Sequence, residues 1–309
     1  MKQKEQVNRI YMLTEEEIRA EYEKKDITDD FIFGKVMENP VNSIPMLEFL
    51  TGNKIESVNT IITQKAIKIT SDGKGVRYDV YVEDDKDIVY DTEMQNRSAN
   101  TDTLPRRVRF YQGMIDLNIL ESGADYDMLK ESYVIFICTF DPFGKDLCCY
   151  EFENICRYDN KIIFNDGRKI LIFNTKGKII NVNKEVADFL RYLETKQATN
   201  EFTRRLAREV ERVRHNKEWM VEYMKTLVHD MDVRNEGIAI GIEQGIEQGI
   251  EQGITQGISQ SVVDFLSEYG QIPESIRERI CNEKDVEKLK NWNKLSAKVS
   301  SIEEFVEKM

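Results

Sequence analysis

A chain of 309 residues has room for about two domains of ~150 residues, and its 40% hydrophobic and 32% charged composition excludes a disordered polymer, a collagen-like repeat and a disulfide scaffold. Its 44 Lys and Arg against 56 Asp and Glu leave a net charge of −12, so any nucleic-acid site has to be a local basic patch or rely on metal ions. The five cysteines show no CxxC spacing, and His215 and His229 lie far along the chain from them, which speaks against zinc or disulfides and for a reducing cytoplasm.

Met1 to Ala20 is charged throughout, and the longest apolar run, Tyr133 to Cys138, is too short to span a bilayer. Neither a signal peptide nor a membrane helix is expected. Asp29 and Asp30 precede Phe33, Val36 and Met37 at helical spacing, which predicts a first helix with an acidic N-cap; Asp30 reads as that cap ahead of a metal ligand. Pro40 is expected to end it, and Ile44, Leu47, Phe49 and Leu50 to form a second helix before the turn at Gly52 and Asn53. Val58 to Thr70 reads as a strand. Val76, Tyr78, Val80 and Val82 then alternate with Arg77, Asp79, Tyr81 and Glu83, the pattern of a strand with one polar face, and Asp84 to Asp87 turn the chain into a second strand, Ile88 to Gln95. Leu104 to Leu120 is helical in pattern, and Tyr133 to Phe140 is a buried strand. Ile162 to Phe164 and Ile170 to Phe173 suggest a hairpin through Asn165-Asp166-Gly167. From about Asn183 the pattern is helical, and the arginines from Arg204 to Arg214, interleaved with Glu201, Glu209 and Glu211, read as a solvated helix face.

The first hairpin holds the residues best suited to chemistry. Arg77, Asp79, Tyr81 and Glu83 share a face of one strand, Asp91, Glu93 and Gln95 a face of the other. A turn centred on Asp85-Lys86 sets Asp79 against Thr92 or Glu93. Directly opposed residues have Cβ atoms roughly 4.5–5.5 Å apart, within reach of one Mg²⁺ through both carboxylates. The alternative is the solvated polar face of an ordinary hairpin. Downstream, four arginines against Asp102 make Arg97 to Gln112 a local basic patch able to contact phosphates. Within it Arg106, Arg107 and Arg109 open a helix; Arg107 is the one expected to face the site, with Tyr111 a turn further on the same face. The alternatives are a surface ion pair for Arg107 and a core position for Tyr111.

Six glycines from Gly237 to Gly257, each followed by isoleucine, form a four-residue repeat, Gly-Ile-Glu-Gln at its most regular. On a helix the glycine column advances about 40° per repeat, and six glycines cost about 5 kcal/mol relative to alanine. Such a helix needs outside support, and self-association through Gly237 to Ile258 is expected to supply it; a solvated linker is the alternative. Ser261 to Met309 reads as a small helical appendage.

Asp79 followed at a dozen residues by Glu93-Met94-Gln95 resembles the PD-(D/E)XK nuclease signature, with Gln95 in place of its lysine. Asp30-Phe31-Ile32-Phe33, Arg77-Tyr78-Asp79, Asp91-Thr92-Glu93-Met94-Gln95, Arg107-Val108-Arg109-Phe110-Tyr111-Gln112, Phe140-Asp141-Pro142-Phe143 and the glycine repeat, in this order, are similar to the Rpn family of recombination-promoting nucleases, also described as transposases of the PD-(D/E)XK type. The resemblance runs from about Asp29 to the tail. It implies an α/β fold: a restriction-endonuclease-like core of mixed sheet flanked by helices, residues 29–182, after a helical lead-in, 1–28, and before a helical region, 183–236, the repeat, 237–260, and the appendage, 261–309. It also implies Asp79 and Glu93 as metal ligands and catalytic residues, the Met94 carbonyl as a further metal ligand, Gln95 as the residue that holds an attacking water, and Mg²⁺ as cofactor, with Mn²⁺ or Ca²⁺ as substitutes. An amide carries no charge, so the compensation a lysine gives has to come from a second metal or an arginine. The expected protein is thus a cytoplasmic Mg²⁺-dependent DNA endonuclease connected with recombination or mobile DNA; the alternative is a catalytically weak DNA-binding or regulatory oligomer. No helix-turn-helix or zinc finger is evident, which leaves a strand-joining transposase without a DNA-reading module.

Overall fold

The computed structural model describes residues 14–67, 75–96, 103–120 and 124–309. The first thirteen residues, the last three of the expected first strand and Arg97 of the basic patch lie outside them. The chain divides into two compact units, residues 1–224 and 225–309.

In the first unit three helices, α1 (Glu15–Glu23), α2 (Asp30–Met37) and α3 (Pro40–Thr51), precede strands β1 (Val58–Ile67), β2 (Val76–Asp84) and β3 (Val89–Gln95); α4 (Leu104–Ile119) leads to β4 (Ser132–Cys138), β5 (Cys149–Phe152) and β6 (Arg168–Asn174), and α5 (Lys184–Thr195) and α6 (Glu201–Arg214) follow. The sheet order is β1-β2-β3-β4-β6-β5. β3, β4 and β6 run parallel, and the other neighbours pair antiparallel, so the sheet is mixed, as the resemblance implies. One face carries the cluster built from Phe31, Ile32 and Phe33 of α2, Val80, Tyr90, Ile135, Phe189 and Leu206. The other carries Tyr78, Tyr81, Val134, Phe136 and Ile172 beneath Val108 and Ile115 of α4.

Because helices cover both faces, β2 departs from the one-sided strand its alternation predicts: all of it except Arg77 and Glu83 is buried. Two other expectations need correction. Pro40 opens α3 at its first position, where its missing N–H is no loss, and α2 has already ended at Met37. The strand beside β6 is Cys149–Phe152, not Ile162 to Phe164. Tyr150 is buried there and donates its hydroxyl to Asp141 at 2.7 Å. Left-handed residues fall at Asn165 and Gly167 rather than at two consecutive turn positions, as a tight hairpin needs; Ile163 instead bridges Ile155. After β6, the chain at Gly177 lies so close to the Leu147–Cys148 peptide that a Cβ would meet backbone atoms at 2.3–2.4 Å.

The helix α7 (Lys217–Ser267) begins in the first unit and ends in the second. The repeat is helical throughout, as one of its two readings requires. In the second unit Val262, Val263 and Leu266 of α7 pack with Ile280 of α8 (Glu274–Asn282), Leu289 and Trp292 of α9 (Val286–Ser296), Val299 in the connection that follows, and Phe305 of α10 (Ile302–Lys308). Ile238, Ile242, Ile246, Ile250 and Ile254 of the repeat are 45–59% exposed, and a Cβ at any of its six glycines meets nothing among the described residues within 4 Å.

Candidate functional site

The β2–β3 ladder pairs Val80 with Thr92 and Tyr81 with Asp91. Continued by one rung, that register sets Asp79 across from Glu93, the second of the two pairings the sequence allows. Beyond Val80 side chains take over from the backbone ladder: the Asp79 N–H donates to Glu93 Oε1 at 2.8 Å, and the Met94 N–H donates to Asp79 Oδ2 at 3.0 Å. Each carboxylate thus closes a peptide donor of the opposite strand. A strand residue sends its N–H and its C=O to the same neighbour, so the Met94 carbonyl points toward β2 as well.

Regular alternation fails at this rung. Tyr78 and Tyr81, three positions apart, pack in the same cluster with ring centroids 5.9 Å apart, while Val80 and Val82 belong to the opposite face. The face expected to unite Arg77, Asp79, Tyr81 and Glu83 is therefore broken at Asp79, whose carboxylate accepts the Met94 N–H of β3. Nor is the pair solvated: Asp79 is 7% and Glu93 4% exposed.

From the other side α4 brings Arg107. Its Nη1 donates to Gln95 Oε1 at 2.8 Å, and its Nη2 lies 3.4 Å from the Tyr111 hydroxyl and 3.9 Å from Glu93 Oε2. The guanidinium also stands over the Phe136 ring at 5.2 Å. Tyr111 is half-buried, packs on Tyr78 and Phe136, and accepts the Tyr78 hydroxyl at its carbonyl. Glu93, Gln95, Arg107 and Tyr111 are thus brought together. Arg106 and Arg109 are exposed and, at 100° per residue, project from other sides of α4.

Of three further residues here, the sequence places Asp91 on the face of Glu93 and Gln95 without a role, reads Asp30 as a cap ahead of a metal ligand, and gives no sign of Gln64. Asp91 is fully buried, and among the described residues neither of its oxygens meets a hydrogen-bond donor. Gln64 approaches Asp79 from β1. Asp30 is exposed at the first position of α2, and its charge acts on Asp79; the cap of that helix is Asp29, whose side chain accepts the Ile32 N–H.

Burial is the main reason that Asp79, Asp91 and Glu93 all hold their protons to well above the ordinary carboxylate range, and neighbouring acids add to it: Glu93 and Asp30 act on Asp79, Asp91 on Glu93, Asp79 on Asp91. Arg107 opposes the rise at Glu93 and Asp91, and Arg77 at Asp79. A divalent cation fits this donor set. The donors are hard oxygens, the acids outnumber the two arginines, and Asp91 is left with orphaned oxygens. Among the described residues no three His, Cys, Asp or Glu side chains form a ready-made ligating cluster, so an ion at Asp79 and Glu93 would need further ligands from carbonyl, water or substrate, as hard divalent cations accept.

Among the described residues no helix is long and apolar enough to cross a membrane. Comparison with curated proteins and with solved structures finds no match. Residues 27–236 match the model of the family described as PD-(D/E)XK nuclease family transposase, and the chain belongs to that family.

Proposed function

We propose that this chain is a Mg²⁺-dependent DNA endonuclease that hydrolyses phosphodiester bonds during recombination or the movement of mobile DNA. Asp79 and Glu93, with the Met94 carbonyl, hold the ion, and Mn²⁺ or Ca²⁺ can replace Mg²⁺. The chemistry supplied by the bound ion is activation of water and neutralisation of phosphate charge. The observation that best supports this reading is the convergence of Arg107 on both Glu93 and Gln95: the guanidinium stands where the charge missing from Gln95 is needed. Gln95, with its carbonyl oxygen turned to Arg107, orients an attacking water, while Arg107 and Tyr111 face the scissile phosphate and the exposed Arg106 and Arg109 contact flanking phosphates.

Supercoiled plasmid incubated with the protein and Mg²⁺ is expected to become nicked or linear, and EDTA to prevent it. The uncharged Gln95 favours a second reading, a DNA-binding oligomer with little turnover. DNA retained in a gel shift, with no cleavage in Mg²⁺ or Mn²⁺, selects that reading. Arg107→Ala is expected to weaken DNA binding about tenfold, equivalent to ~1.4 kcal/mol, with thermal unfolding nearly unchanged because the side chain is partly exposed. Unchanged affinity returns Arg107 to a structural ion pair.

The open glycine and isoleucine face of the repeat supports self-association through Gly237 to Ile258, with small glycines admitting a second helix and isoleucines buried between copies. Light scattering is expected to show an oligomer for the full chain and a monomer for a chain ending at Arg234. If both are monomeric at micromolar concentration, the repeat is a solvated helix and nothing more.

A further inference from the structure

Gln64 occupies the interior of β1 with φ at 53°, the left-handed conformation that costs a residue with a Cβ about 1 kcal/mol. No extra residue is inserted there. The β1–β2 ladder pairs Thr63 with Val80 and Lys65 with Tyr78 in unbroken register, so Gln64 stands one for one against Asp79.

What the left-handed residue changes is the direction of a side chain. Lys65 lies over the Tyr81 ring on the α4 side of the sheet, with Nζ 3.4 Å from the centroid. Thr63 and Gln64 both meet Gly34 of α2 on the opposite side: a Cβ on Gly34 would lie 3.5 Å from Thr63 Cβ and 3.8 Å from Gln64 Nε2. Two successive residues on one face break the alternation of a strand, at the same rung where β2 loses its own alternation. Helix α2 crosses the sheet at this point, with the Cβ position of Gly34 3.4 Å from the Asp79 carbonyl, an ordinary packing distance.

Turned this way, Gln64 Nε2 donates to Asp79 Oδ1 at 3.4 Å, at the long end of the hydrogen-bond range. The other oxygen, Oδ2, accepts the Met94 N–H. The carboxylate is thereby held from the strands on both sides of β2. A primary amide suits this task because it orients the acid without cancelling the negative charge that a cation requires, as a lysine or arginine at the same place would.

We infer that Gln64 is a positioning residue for Asp79, fixing the rotation of its carboxylate at the price of a left-handed strand residue. The inference rests on the reading of Asp79 as a cation ligand, and its test has a readout that does not.

Gln64→Gly removes the amide and relieves the backbone. Thermal unfolding is expected to stay close to that of the wild type, because the relief offsets the freedom glycine adds to the unfolded chain. Calorimetric titration with Mn²⁺ is expected to show about tenfold weaker binding. Gln64→Asn, which tolerates the conformation but is one methylene too short, is expected to lose the same affinity. In unfolding, the effects of Gln64→Gly and Asp79→Ala are expected not to add in the double variant, as for groups in contact. Wild-type Mn²⁺ affinity in both Gln64 variants overturns the inference. If the wild-type protein itself takes up no Mn²⁺, the cation-site reading fails separately, and additive unfolding effects then overturn the Gln64–Asp79 link as well.

Discussion

Plasmid cleavage is expected to fall by about 10³-fold or more, a loss of ~4 kcal/mol in transition-state stabilisation, when either Asp79 or Glu93 is replaced by alanine. Their burial makes the accompanying change in stability a balance of opposed terms. Each replacement leaves a buried peptide N–H without its acceptor, at Met94 or at Asp79, at a cost of about 1–3 kcal/mol. Each also removes one of three crowded buried acids, whose charged forms are disfavoured by burial and by one another. Asp79→Asn and Glu93→Gln separate the two effects, since an amide oxygen can still accept the N–H while the charge is gone. Both are expected to unfold no more readily than the wild type at neutral pH and still to lose cleavage. Wild-type cleavage by any of the four variants means that the site lies elsewhere.

Gly177→Ala is expected to produce the largest loss of stability from a single methyl group, roughly 3 kcal/mol or more, seen as a fall of about 10 °C in the unfolding temperature. The added Cβ would meet the Leu147 carbonyl oxygen and the Cys148 nitrogen at 2.3–2.4 Å, and both are backbone atoms already committed. The Cys148 carbonyl accepts from Asn174, and Lys178 donates to the Asp146 carbonyl while bridging Leu147. The chain therefore has to separate at the connection that fixes β5 beside β6. Gly113, inside α4 with nothing near its Cβ position, serves as the contrast: Gly113→Ala is expected to stabilise by up to about 1 kcal/mol. Equal unfolding temperatures for the two variants mean that the close approach at Gly177 is relaxed in solution.

The sequence discloses this fold unevenly, and the reasons are local. The helix over Leu104 to Leu120 and the buried strand after Tyr133 were legible because long periodic or continuous apolar patterns are hard to mistake. The Asp79–Glu93 pairing followed from the turn at Asp85-Lys86 to within one residue. The depth of that pair was not legible, because alternation in β2 looks the same whether or not a helix covers its polar side. The edge strand was misplaced because Asn165-Asp166-Gly167 has hairpin composition, and only the burial of Tyr150 against Asp141 decides for Cys149–Phe152. Gln64 left no trace in the sequence, since glutamine in a strand gives no sign of a left-handed backbone. Asp91 was visible as an acid beside Glu93, but its lack of any donor is a property of the packed site alone.

The exposed repeat helix also carries a column of like charge. Glu243, Glu247 and Glu251 follow one another at four-residue spacing, and no lysine or arginine occurs between Gly237 and Ile258. Like charges at that spacing destabilise a helix, and copies brought together through the isoleucines add their columns to one another. Ionic strength then acts in opposite directions on the two surfaces. If the repeat assembles and the arginines hold phosphate as proposed, rising salt is expected to screen the glutamates and favour assembly, and to weaken the hold of Arg106, Arg107 and Arg109 on phosphate by removing the gain from counterion release. On the proposed function, dilute buffer is expected to favour a dispersed protein with tight DNA contacts, and concentrated salt an assembled one that releases its DNA.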